Sequence, residues 1–224
     1  MKKSQLKRKI VLDFDDTLVK SSEHVIKILN KRYGLDKTIA DLSDWSYRNI
    51  YHGITEQELS EMFASKEFWG GILYDDCKIE TLKYNVGVLD FLEYAKDKYE
   101  VIICSKGTKD NLEQKEIFCI ATFNACGIEG KFVGIEIGDV FDATLDKSGI
   151  DFSDCLFAVD DNTNALLSLN VPCKFLLKNH HDQYWNKEPI NEKNLYVIND
   201  FYDLIEFCKF DEMLRQSGVE IGER

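Results

Sequence analysis

Three apolar runs each end in residues able to do chemistry. In Ile10-Val11-Leu12-Asp13-Phe14-Asp15-Asp16-Thr17-Leu18, carboxylates stand at i and i+2 with a threonine at i+4. Asp13 is placed to act as a nucleophile at phosphorus or carbon. Asp15 is placed to serve as general acid for a leaving oxygen and then as base for water. The plainer alternative is an acidic turn with Asx capping. In Val101-Ile102-Ile103-Cys104-Ser105-Lys106-Gly107-Thr108, a hydroxyl and backbone N–H groups ahead of a helix offer donors to a phosphate, or form an ordinary polar turn. In Leu156-Phe157-Ala158-Val159-Asp160-Asp161-Asn162-Thr163, paired acids precede a helix. One acid suffices for an N-cap, so the duplication is informative: with a first acidic pair nearby it makes an oxygen-rich site suited to Mg²⁺. Lys147 lies thirteen residues before Asp160; alone it reads as a solvated surface charge.

Elements must bring these stretches together. Strands are predicted at Lys9 to Phe14, Val101 to Cys104, Phe132 to Ile137, Leu156 to Val159, Phe175 to Leu177 and Leu195 to Ile198. Helices are predicted at Val86 to Lys98, Lys109 to Thr122, Thr163 to Leu169 and Phe201 to Arg215. Several strands are continuous apolar runs, as strands covered on both faces should be. This is an α/β pattern, a doubly wound parallel sheet, in which strand carboxyl ends meet at one crevice.

The first two strands are too far apart for one crossover: about 85 residues separate Phe14 from Val101, whereas a whole βαβ unit needs ~30. The excess reads as an inserted helical cap. Ser21 or Ser22 can cap a helix that ends near Gly34, and Thr55-x-x-Glu58 is a capping box before Leu59, Met62 and Phe63. The expected division is a core of residues 1–20 and 84–224 and a cap of residues 21–83.

A net charge of −12 over 224 residues argues against a nucleic-acid polymer as partner, because phosphate neutralisation needs clustered Lys and Arg. A small anion at a local positive site remains open. No apolar run approaches a membrane span, and the Lys-rich start is followed by only three apolar residues, too few for a signal peptide. Seven scattered cysteines without a C-x-x-C pair read as reduced thiols of a cytoplasmic protein. His180 and His181 beside Asp182 read as solvated, with no third metal ligand evident. The sequence leaves the oligomeric state open, a homodimer included.

Taken in order, the motifs resemble those of the haloacid dehalogenase superfamily of phosphohydrolases: hhhhDxDxT, hhh[S/T], a Lys and hhhhDD, where h is apolar. They run from Ile10 to Ala165. The resemblance implies a Rossmann-like core with a cap after the first strand. It implies Asp13 as the nucleophile that forms an aspartyl-phosphate, Asp15 as acid/base, Ser105 and Lys147 as phosphate ligands, and Asp160 or Asp161 on Mg²⁺, with Asp13 and Asp15 also at the metal. The second acid, Asp15, argues against the dehalogenases of that superfamily, which lack it. Phe68-Trp69-Gly70-Gly71-Ile72-Leu73, the Ser105 turn and Asp146-Lys147-Ser148 together resemble the 5′(3′)-deoxyribonucleotidase (5′-nucleotidase type C) group. In that group cap aromatics form the nucleobase pocket. Phe68 and Trp69 are therefore expected either to stack a base or to pack the cap on the core. Lys106 stands where these enzymes often carry a second hydroxyl and, turned inward, would add a substrate contact.

The expected activity is Mg²⁺-dependent phosphomonoester hydrolysis, with a nucleoside monophosphate as substrate. Unit charges ~4 Å apart repel by ~4 kcal/mol at an effective dielectric of 20, so a phosphate beside Asp13 requires Mg²⁺ and Lys147. Asp15 must carry a proton when substrate binds, which calls for burial and neighbouring acids. Alternatives are a phosphatase of another small metabolite or of phosphoproteins and, in a different class, a non-catalytic phospholigand-binding protein on the same fold.

Overall fold

Alternate residues of a strand point to opposite faces, so the unbroken apolar runs have to be covered on both sides. The computed structural model describes residues 7–72, 78–138, 146–178, 183–189 and 192–217. Six strands form one parallel sheet: β1 (Arg8–Leu12), β2 (Tyr99–Gly107), β3 (Gly130–Glu136), β4 (Cys155–Asp160), β5 (Cys173–Leu177) and β6 (Leu195–Ile198). On one face Ile10, Leu12, Val101, Ile103, Phe157 and Val159 pack with residues of the helices at Val88–Ala95, Lys109–Cys126 and Phe201–Gln216. On the other, Val11, Ile102, Cys104 and Ala158 pack with Leu166 and Leu169. The sequence therefore alternates sides within each strand while staying apolar throughout.

The strand order is β3-β2-β1-β4-β5-β6. The chain winds outward from β1 through β2 to β3 and then returns beside β1 to build β4, β5 and β6. The order reverses between β1 and β4, and the crevice beyond that reversal is where ligands bind in open α/β sheets. Register completes the placement. Leu12 stands opposite Ile103 of β2 and Val159 of β4, so the next residues of the three strands, Asp13, Cys104 and Asp160, reach one edge together. The Asp13 N–H donates to the Val159 carbonyl at 2.9 Å.

Between β1 and β2 lie the helices α1 (Ser21–Tyr33), α2 (Glu56–Ala64), α3 (Lys66–Trp69) and α4 (Val88–Ala95). α1 ends at Gly34, whose φ of 65° is the left-handed conformation that glycine accepts without strain. Thr55 and Glu58 form the expected capping box of α2. The start of α1 differs from expectation: neither Ser21 nor Ser22 caps it. The carboxylate of Asp16 accepts the Ser22 N–H at 2.8 Å instead, from a backbone turn at φ 53°. Residues of α1–α3 share their own apolar cluster, which includes Val25, Leu29, Tyr51, Leu59 and Phe68.

The chain passes to and from these helices along two adjacent segments. Lys20 N–H donates to Lys83 O at 2.8 Å, Asn85 N–H donates to Leu18 O at 3.1 Å, and Val19 forms an antiparallel bridge with Tyr84. The Asn85 side-chain amide adds bonds to the carbonyls of Asp16 (2.7 Å) and Thr17 (2.8 Å). The remaining helices are α5 (Lys109–Cys126), α6 (Thr163–Ser168) and α7 (Phe201–Gln216). α5 runs a turn past the expected Thr122 and stops at Gly127, which is again left-handed. Among the described residues no helix is long and apolar enough to cross a membrane.

Candidate active site

Asp13, the first residue beyond β1, and Asp160, the last of β4, flank the Lys147 ammonium. Lys147 Nζ donates to Asp13 Oδ1 and Asp160 Oδ2, each at 2.6 Å, and to the Cys104 carbonyl at 3.3 Å. All three side chains are buried. Burial opposes the charge on Lys147, yet Asp13 and Asp160 together outweigh it and raise the lysine above its ordinary range. Asp13 is pushed up to about 7, chiefly by burial, with Lys147 pulling against it. Far from the solvated surface charge its isolated position allowed, Lys147 is the central cation of the cluster.

Asp13, Asp160 and Asp161 present carboxylate oxygens within 4.8 Å of one another. Asp161 is held by four contacts. Its N–H donates to Thr17 Oγ1 at 2.9 Å, and Thr17 Oγ1 returns a long bond of 3.5 Å to Oδ1. The Trp185 indole N–H donates to Oδ2 at 2.8 Å, and Asn186 Nδ2 donates to the Asp161 carbonyl at 2.6 Å. Burial first, then Asp16 and Asp160, raise Asp161 well above the usual carboxylate range. Three buried carboxylates, two of them on the one ammonium, form a hard, oxygen-only donor set short of positive charge, which fits Mg²⁺.

Asp15 departs from expectation twice. Its carboxylate lies outside the metal-type cluster, and its side chain is 42% exposed where burial was expected. Oδ2 accepts hydrogen bonds from Lys115 Nζ and from Ser105 Oγ, the latter at 3.4 Å. The physical reason is that β1 ends at Leu12, so the two-residue alternation of a strand does not carry Asp15 to the side of Asp13. Lys115 is buried on α5 and also donates to Ser105 Oγ (3.0 Å) and to the Lys106 carbonyl (3.2 Å).

A cavity of about 200 Å³ opens over these groups. Asp13, Asp15, Ser105, Lys106, Lys147, Asp160 and Asp161 line its floor, and Trp45, Tyr47, Phe63, Trp69 and Trp185 form an aromatic wall. Lys106 thus borders the site. Trp69 reaches the wall, with its indole N–H on the Phe63 carbonyl at 2.8 Å. Phe68 does not. It is fully buried in the apolar cluster of α1–α3, edge-on to Phe63 and Trp69, because adjacent helical residues point about 100° apart.

The sequence motifs point to none of Lys115, Trp185, Trp45 and Tyr47, all of which line the site. A signal existed for Lys115: Asn111, Lys115, Phe118, Cys119 and Thr122 follow the spacing of one buried helical face, where a lysine is out of place. Nothing in the local sequence marks Trp185. His180, His181 and Asp182 lie outside the described residues.

No family model matches the sequence, and no curated protein matches it. Solved structures do match the fold. A haloacid dehalogenase-like family hydrolase from Streptococcus pneumoniae aligns over 90% of this chain and 98% of its own at 15% identity, with a TM-score of 0.56. A haloacid dehalogenase-type hydrolase from Bacillus subtilis, bound to magnesium, aligns over 91% and 99% at 12% identity, with a TM-score of 0.52. A haloacid dehalogenase-like hydrolase from Burkholderia xenovorans gives 92% and 98% at 12% identity, with a TM-score of 0.50. The α/β fold is therefore the Rossmann-like fold of haloacid dehalogenase-type hydrolases.

Proposed function

We propose that the chain is a Mg²⁺-dependent phosphomonoester hydrolase that works through an aspartyl-phosphate on Asp13, with a nucleoside monophosphate as its substrate. The observation that carries this reading is the Lys147 ammonium held between Asp13 and Asp160, with Asp161 in the same cluster, at the switch point of the sheet. Asp13 attacks phosphorus, and the bond to the leaving oxygen breaks as Asp15 gives that oxygen a proton. Water, deprotonated by Asp15, then hydrolyses the acyl phosphate and frees Asp13. Lys147 and Ser105 bind phosphate oxygens, and Lys106 and Lys115 add positive charge at the same floor. Asp13, Asp160 and Asp161 would hold Mg²⁺, which supplies charge neutralisation and in-line orientation of the phosphoryl group. The magnesium in the Bacillus subtilis neighbour agrees with that choice of metal.

The aromatic wall supports a flat, small substrate, and of the expected pair Trp69 is the one that lines it. We divide the chain into a core of residues 1–20 and 84–224 and a cap of residues 21–83, on the strength of the paired segments at Leu18–Lys20 and Lys83–Asn85. Six free thiols among the described residues, five of them buried, are in keeping with a cytoplasmic setting. The test is a phosphate-release screen over nucleoside monophosphates, sugar phosphates and phosphopeptides, with and without Mg²⁺. Release from nucleoside monophosphates that requires Mg²⁺ and vanishes in Asp13→Asn is the expected result. Mg²⁺-independent release, or an active Asp13→Asn protein, would refute it.

A further inference from the structure

We propose that Trp185 is a positioning residue that ties the cap to the metal-binding carboxylates, so that Mg²⁺ binding and closure of the cap stabilise each other. The proposal rests on the reading of Asp13, Asp160 and Asp161 as a Mg²⁺ site.

Trp185 belongs by sequence to the core. It stands in the short 3-10 turn Tyr184–Asn186 after β5, and its neighbour Asn186 pins that turn to the sheet with side-chain N–H bonds to the carbonyls of Asp161 (2.6 Å) and Leu177 (2.8 Å). Its ring nevertheless packs in the cap cluster. Every other buried member of that cluster lies between Val25 and Trp69. The indole N–H, meanwhile, donates to Asp161 Oδ2 at 2.8 Å, and both side chains are buried. With Asp161 ionised at a bound cation, the hydrogen bond it accepts is among the stronger ones, and its geometry sets the direction of a carboxylate needed at the metal.

One rigid side chain thus has its faces in the cap and its polar edge on the metal cluster. Moving the cap away strips packing from the ring and loosens the donor on Asp161. Fixing Asp161 at a metal holds the indole, and so favours the packed cap. Coupling of this kind is reciprocal, so whatever closes the cap also tightens the metal.

The test uses the full chain and MgCl₂ alone, with no substrate. In the wild type, Mg²⁺ binding followed by calorimetry is expected to slow amide exchange across residues 42–69 and to change tryptophan emission. Trp185→Phe keeps an aromatic ring in the cap cluster but has no N–H. It is expected to weaken Mg²⁺ binding by about 10- to 100-fold, to lose the emission change, and to leave cap exchange insensitive to saturating Mg²⁺. A wild type that binds no Mg²⁺ refutes the metal site itself. A wild type that binds Mg²⁺ without any change in cap exchange refutes the tie alone, even if the variant fails to fold. Equal Mg²⁺ affinity in the wild type and a folded Trp185→Phe protein also refutes it.

Discussion

Lys115, buried on α5, donates a hydrogen bond to the Asp15 carboxylate and another to Ser105 Oγ, so the proposed acid/base and the proposed phosphate hydroxyl share one cation. None of these contacts reaches Asp13 or Asp160, which Lys147 serves. The two lysines therefore separate in their effects. A hydrogen bond to a charged group is worth ~1.5–3 kcal/mol, so Lys115→Met should lower kcat/KM by about 10- to 100-fold. Mg²⁺ affinity should hardly change. Asp15→Asn should lower kcat by about 10²- to 10⁴-fold, the usual worth of a general acid–base group. Steady-state kinetics and Mg²⁺ titration of both variants check this, and a Lys115→Met protein with weakened Mg²⁺ binding would mean that Lys115 also orders the metal-binding carboxylates.

Asp13 bears a conflict between chemistry and stability. Its carboxylate is buried beside Asp160 and Asp15, and burial dominates its upward shift to about 7. Asn has the same shape without the charge. Asp13→Asn is therefore expected to be inactive and yet more stable than the wild type without metal at pH 8, by a few degrees in Tm, on the order of 1 kcal/mol. Thermal unfolding in EDTA measures it, and a lower Tm would mean that the Lys147 bond outweighs burial.

The same groups fix the sign of the pH dependence. Asp13 at about 7 and Asp16 at about 6 are both raised, chiefly by burial, from an ordinary 3.8. Between those limits the folded chain binds more protons than the unfolded chain, so this contribution favours folding at low pH and is lost as pH rises through about 6 and 7. In EDTA, Tm should be higher at pH 6 than at pH 8. Saturating Mg²⁺ should shrink or reverse the difference, because it binds the ionised carboxylates. A metal-free Tm that rises from pH 6 to pH 8 would contradict the assignment.

Legibility in the sequence followed the range of the interaction. Ile10–Leu12, Val101–Cys104 and Leu156–Val159 announced buried parallel strands, and because such strands deliver their carboxyl ends to one crevice, Asp13, Ser105 and Asp160 could be grouped before any contact was known. The distance between Phe14 and Val101 announced the inserted helices. Facing was not legible. Asp15 left the strand alternation because β1 ends at Leu12, and of Phe68 and Trp69, adjacent on one helical turn and buried in one cluster, only Trp69 also reaches the cavity. Trp185 was illegible for a different reason: its partner Asp161 is supplied by the fold, through β5 lying beside β4.

The environments of Phe68 and Trp69 give opposite outcomes for two neighbouring substitutions. Phe68 is wholly enclosed by the cap cluster, where truncation of a buried aromatic costs ~3–5 kcal/mol. Phe68→Ala should therefore lower Tm and cap protection while leaving the preference among substrates as it was. Trp69 lines the cavity as well, and a base stacked on its ring would gain ~1–3 kcal/mol. Trp69→Leu should cut kcat/KM for nucleoside monophosphates about 5- to 150-fold relative to a sugar phosphate that lacks the base. The informative quantity is that ratio, because a general loss of fold lowers both substrates alike. If the ratio is unchanged in Trp69→Leu, or falls in Phe68→Ala, the wall of the cavity does not read the base through Trp69.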